Sequence, residues 1–80
     1  MEYRDVLAQY LDELNINSAE LARRIGSPRS TIHALLTGRA KEPTLGTAKA
    51  IADALGVSLE EMAEKVYETG AEDELNHYGK

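Results

Sequence analysis

The hydrophobic positions of this chain fall into five short groups, and within each they recur at steps of three and four residues. That period is helical; a half-buried strand would alternate at every second position. Leu7, Tyr10, Leu11 and Leu14 define a first helix over about residues 2–14, closed at Asn15. Asn17 opens a second, with Glu20 three residues on as its capping-box partner, and Leu21, Ala22 and Ile25 form its apolar side up to Gly26. Ser27 as N-cap and Pro28 at the first helical position start a third, whose apolar side is Ile32, Leu35 and Leu36 and whose stop is Gly38. After the loop R-A-K-E-P, a fourth helix starts near Thr44 and turns Leu45, Ala48, Ile51, Ala52 and Leu55 inward before Gly56. A fifth, about residues 58–69, opens on the capping box of Ser58 and Glu61 and carries Met62, Ala63, Val66 and Tyr67.

No stretch of the first seventy residues reads as a strand, so the expected fold is all-α, a compact bundle of five short helices. The 80 residues make one domain, near the lower size at which a single core suffices without staples. Residues 1–70 are assigned to it, and residues 71–80 form an acidic tail with little to bury. The chain has no cysteine, which excludes disulfides and thiolate metal sites. No apolar run is long enough for a membrane span, and the opening M-E-Y-R-D is unlike a signal peptide. The expectation is a cytoplasmic protein with no membrane partner.

A net charge of −5 argues against a nucleic-acid partner until its distribution is read. Residues 1–16 set Glu2, Asp5, Asp12 and Glu13 against Arg4. Residues 17–49 reverse the sign, with Arg23, Arg24, Arg29, Arg39, Lys41 and Lys49 against Glu20 and Glu42. Residues 50–80 are again strongly acidic. A phosphate backbone responds to the field within a Debye length of about 8–10 Å, so the positive middle of the chain is what counts.

That middle also contains two helices of only two or three turns joined through Gly26 and Ser27. So tight a turn prevents antiparallel packing and predicts a steep crossing, as in a helix-turn-helix. The second helix of such a pair presents its N-terminal, solvent-facing side chains to the major groove of DNA. Arg29, Ser30 and His33 lie opposite Ile32, Leu35 and Leu36, with Ala34 at the margin. Arginine can donate two hydrogen bonds to guanine O6 and N7, worth about 1–3 kcal/mol of discrimination. Serine donates or accepts, histidine can donate to a purine edge, and an alanine methyl fits against thymine. Thr37, Arg39, Lys41 and Thr44, together with Asn17, Ser18 and the free N–H groups at the start of the second helix, suit phosphate contacts.

From Asn17 to Met62 the chain resembles the lambda-repressor/Cro-type (XRE-like) helix-turn-helix family, which binds DNA operators. The resemblance is carried by A-E-L-A-R-R-I-G at 19–26, S-T-I-H-A-L-L-T-G at 30–38 and A-K-A-I-A-D-A-L-G-V-S at 48–58. Pro43 and the Leu55-Gly56-Val57-Ser58 junction also stand where the family places them. The resemblance implies base-facing roles for Arg29, Ser30, His33 and Ala34, and backbone-facing roles for Ser18, Thr37, Arg39, Lys41 and Thr44. It implies a sequence-specific transcriptional regulator, a bacterial or phage-encoded repressor, with a double-stranded DNA operator as partner. Two departures stand out. Ser18 occupies a position where many members have glutamine, with a shorter reach. Leu11 and Leu36 replace an arginine–glutamate pair, so an apolar contact is expected in place of the ion pair.

Other readings stay open beside these. Arg29 in isolation is an ordinary surface arginine, and only its place at the start of this helix makes it a reader of bases. His33 fits a base contact, a phosphate contact or a solvated side chain. Leu59, Met62, Val66 and Tyr67 offer more apolar surface than one side of packing needs, and the family often dimerises through this region, so a homodimer is expected; alternatively Leu59 and Met62 cap the core while Val66 and Tyr67 pack on the first helix. A rival function on the same fold is a protein-interaction module, antitoxin-like or an adaptor, using the fifth helix and the tail. Glu60, Glu61 and Glu64 make a solvated acidic face rather than a metal site, and His33 and His77 lack ligand spacing. With no nucleophile–base pair, glycine-rich phosphate loop or paired catalytic carboxylates, neither an enzyme nor a cofactor, metal or small-molecule site is expected.

Overall fold

The computed structural model describes residues 1–67. They form α1 (Tyr3–Leu14), α2 (Ser18–Ile25), α3 (Arg29–Thr37), α4 (Leu45–Leu55) and a fifth helix, α5, over residues 59–67. There is no strand among the described residues. The predicted tail at 71–80, and the predicted last residues of the fifth helix, lie outside them.

Each junction follows from local chemistry. Asn15 ends α1 in the left-handed region (φ 57°), a conformation asparagine tolerates better than most residues. Asn17 and Ser58 cap as expected: Asn17 Oδ1 accepts from the Glu20 N–H at 2.8 Å, and Ser58 Oγ from the Glu61 N–H at 2.9 Å. The glutamates do not reach back to complete the boxes. Glu20 instead accepts from Arg24 at 2.7 Å, and Glu61 from the Tyr10 hydroxyl at 3.2 Å. Charge-assisted and interhelical partners replace the local backbone donor.

The start of α3 differs from expectation. Pro28, with ψ 148°, is the N-cap, and Ser27 makes no side-chain cap. The reason lies in the preceding helix. The Ser27 N–H still donates to Ala22 O at 3.0 Å, closing α2 in a Schellman-type bond around Gly26 (φ 70°). Ser27 therefore belongs to the end of one helix, and the next begins a residue later.

One core joins all five helices. Tyr3, Val6, Leu7, Tyr10 and Leu11 of α1 meet Leu21 and Ala22 of α2, Ile32 and Leu35 of α3, Ile51, Ala52 and Leu55 of α4, and Met62 of α5. Two predicted core residues do not belong to it. Leu14 is 44% exposed, because the buried stripe of α1 stops one turn before the helix does. Leu45 is 76% exposed, because it opens α4 at the mouth of a groove rather than over the core. The predicted replacement of an ion pair by Leu11 and Leu36 is compatible with the packing: Leu11 is buried, Leu36 packs on the core, and both line one groove between α1, α2 and α3.

The Tyr3 hydroxyl is buried without a hydrogen-bond partner among the described residues, and burial pushes its pKa from 10.0 up to about 12. An unpaired buried hydroxyl costs about 1–3 kcal/mol. Tyr3→Phe is therefore expected to raise the thermal midpoint, followed by circular dichroism. The folded state holds this proton longer than the unfolded chain. The wild-type protein thus loses stability as pH rises from 10.0 towards about 12, and the loss is smaller in Tyr3→Phe.

Candidate nucleic-acid interface

The helix-turn-helix pair is built by three contacts in sequence. Gly26 reverses the chain, Leu21 and Ala22 bury the inner side of α2, and Ile32 (0% exposed) and Leu35 (1%) pin α3 against it. α3 packs on both α1 and α2, so its remaining side is turned to solvent. An α-helix is about 10–12 Å across with its side chains, which fits the roughly 12 Å width of a major groove, and the nine residues of α3 give it about 13 Å of length.

On that free side Arg29, Ser30 and His33 are exposed, and Ala34 is half-buried at the edge. Ser18, from the first turn of α2, joins them: Ser18, Arg29, Ser30 and His33 line a single cleft of about 290 Å³. The two helices thus bring one guanidinium, one imidazole and two hydroxyls to one concave surface.

The residues predicted for phosphate contact are less uniform. Arg39, Lys41, Thr37 and Thr44 are exposed at the end of α3 and on the loop to α4. The Thr37 hydroxyl donates back to Ala34 O at 3.3 Å. Thr44 caps α4, its Oγ1 accepting from the Thr47 N–H at 3.3 Å. The Asn17 side-chain oxygen is committed to capping α2, leaving its amide N–H₂ to donate outward. Arg39 and Lys41 carry the charge.

Ion pairing divides the cations of the positive segment. Arg24 pairs with Glu20 at 2.7 Å and Lys49 with Asp53 at 2.9 Å, both along their own helices. Among the described residues no ion pair engages Arg23, Arg29, Arg39 or Lys41. Glu42, the acid within the loop, is drawn aside, since its carboxylate accepts from the Tyr67 hydroxyl of α5. That bond raises the pKa of Tyr67.

A sequence profile described as "Helix-turn-helix" matches residues 7–62, from the middle of α1 to the core residue of α5. The chain belongs to the helix-turn-helix family, of the Cro/C1 type. It is also similar to "Repressor protein C" of Rhizobium phage 16-3, 37% identical over 70 residues. That alignment covers 88% of this chain and 26% of the phage protein, so the chain spans about a quarter of its relative's length. No solved structure matches the chain. Among the described residues no helix is long and apolar enough to cross a membrane, and no cluster of acids and histidines is placed to hold a metal ion.

One predicted interface residue is corrected. Met62 is 1% exposed and belongs to the core, because it follows Ser58 by one helical turn on the side facing α1 and α4. Leu59 and Val66 are half-buried against the core, and Tyr67 is 48% exposed. Sequence reasoning missed Leu45 as a surface residue. It lines an apolar groove of about 350 Å³ with Leu59, Val66 and Tyr67. Nothing in the helical period distinguishes it from the buried Ala48 one turn later.

The two sides of α3 should separate in mutagenesis. Arg29→Ala and His33→Ala are expected to change unfolding free energy by no more than about 0.5 kcal/mol. Ile32→Ala should lose about 2–5 kcal/mol. Urea denaturation measures both.

Proposed function

We propose that this chain binds double-stranded DNA in a sequence-specific manner and acts as a transcriptional repressor, with α3 as the recognition helix. The observation that carries this reading is the exposed cleft where Ser18 of α2 meets Arg29, Ser30 and His33 of α3. A helix held on one side by Ile32 and Leu35 and lined on the other with donors is equipped to read base edges. In this reading Arg29 takes guanine, and Ser30, His33 and Ala34 contact neighbouring positions. Arg39 and Lys41 meet phosphates, joined by Ser18, the Asn17 amide, Thr37 and Thr44. The likeness to a phage repressor supports the sign of regulation.

Selection from a random duplex library tests this directly, and recovery of an enriched motif is expected. No enrichment at low salt and micromolar protein would sink the operator reading. Arg29→Ala should weaken binding to the selected site and relax preference at one base pair by about 1–3 kcal/mol. Arg39→Ala and Lys41→Ala should weaken binding to all sequences alike and flatten its salt dependence.

The exposed apolar groove supports a homodimer, with Leu59, Val66, Tyr67 and Leu45 at the contact and Met62 beneath it. Two-fold pairing would set two recognition helices about 34 Å apart, one turn of DNA. Sedimentation equilibrium should find a dimer, and Leu45→Glu, on a side chain 76% exposed, should return it to monomer without unfolding it. The same groove would serve a different protein if the chain is an interaction module. A monomer at high concentration that nonetheless binds another protein in a Leu45-dependent way would favour that second reading.

A further inference from the structure

Arg4 lies in the acidic first segment of the chain, yet the fold carries it to the end of the recognition helix. Gly38 closes α3 with φ 84°. A Cβ built on it would lie 2.7 Å from Arg4 Nη1 and 3.3 Å from Arg4 Cδ, so the arginine side chain lies directly over this glycine. Gly38 stands between Thr37 and Arg39, with Lys41 just beyond.

Two physical terms hold Arg4 there. The last turn of α3 contains no basic residue of its own, and its carbonyl end carries partial negative charge that a guanidinium offsets. The absence of a side chain at Gly38 leaves room for the arginine to lie flat. Its one ion-pair partner among the described residues is Glu2, at a long 3.5 Å, and both side chains are substantially exposed, at 46% and 66%. An exposed pair at that distance holds its members weakly. The guanidinium therefore keeps donors free beside the loop that carries Arg39 and Lys41.

We propose that Arg4 is a phosphate-contacting residue, so that the DNA-backbone surface continues from the α3–α4 loop onto the first turn of α1. This rests on the DNA-binding reading and adds to it a cation from a part of the chain whose net charge is negative. Glu2 is then its competitor, holding the guanidinium when no phosphate is near.

The test uses the full chain and a mixed-sequence duplex of about 30 base pairs, because phosphate contacts do not depend on sequence. Fluorescence anisotropy gives the affinity from about 50 to about 200 mM salt, and the slope of log affinity against log salt counts phosphates at about 0.9 each. Arg4→Gln should weaken binding roughly three- to tenfold and reduce the slope by about 0.9, a change that loss of a purely structural contact would not produce. Arg4→Lys should keep the wild-type slope, since an ammonium also neutralises a phosphate. Glu2→Gln should strengthen binding about two- to threefold by releasing the guanidinium. An unchanged slope in Arg4→Gln overturns the proposal. Should that variant fail to fold, an unchanged affinity in Glu2→Gln overturns it instead. Wild-type protein and Arg39→Gln tell the two failures apart: if wild-type protein shows no salt-dependent binding, the DNA reading fails. If Arg39→Gln lowers the slope and Arg4→Gln does not, only the role of Arg4 fails.

Discussion

The exposed side of α3 depends on the reversal at Gly26. The left-handed glycine and the Ser27 N–H bond to Ala22 O close α2 and set the direction in which α3 departs. Without that reversal Ile32 and Leu35 would not reach the core shared with Leu21 and Leu7. Burying those two side chains turns the opposite side of α3 outward, so the exposure of Arg29, Ser30 and His33 is a consequence of packing. The core and the candidate interface are two sides of one short helix. Its orientation comes from the same contacts that stabilise the domain, which relieves the polar side of any structural role.

Charge is arranged on the same principle. Acids that stand among the cations of the positive segment are used up close to home: Glu20 by Arg24, Glu42 by Tyr67. Such exposed contacts add little to stability. Their effect is on the field: Arg24 neutralises Glu20, the Tyr67 bond holds the still-charged Glu42 carboxylate towards α5, and Arg29, Arg39 and Lys41 are left without an ion-pair partner among the described residues. A protein of net charge −5 thereby presents a positive surface over a limited area. The acidic surface of α5 is held to α1 by the Tyr10–Glu61 hydrogen bond and by Lys65, whose ammonium lies 4.5 Å from the centre of the Tyr10 ring.

The five helices, most of their ends and most of the core could be read along the chain, because helical period, N-caps and terminal glycines are local signals. The exposed side of α3 was legible for the same reason: Arg29, Ser30 and His33 follow once Ile32, Leu35 and Leu36 are recognised as the inner side. Three features were not. Leu45 and Leu14 keep the helical period but overrun the elements that would cover them. Met62 and Tyr67 both belong to the apolar positions of α5, yet one is buried and the other exposed, which depends on where α1 and α4 end. Ser27 resembles an N-cap, but the bond to Ala22 O takes it into the preceding helix.

Local sequence therefore specifies the elements and the polarity of their sides, since those depend on residues within one or two turns. Which residues from separate helices share a surface depends on how the helices cross. The cleft of Ser18 with Arg29, Ser30 and His33, the groove under Leu45, and Arg4 lying over Gly38 all join positions distant in the chain. No periodic pattern encodes such meetings, because the crossing angles come from packing the whole core at once.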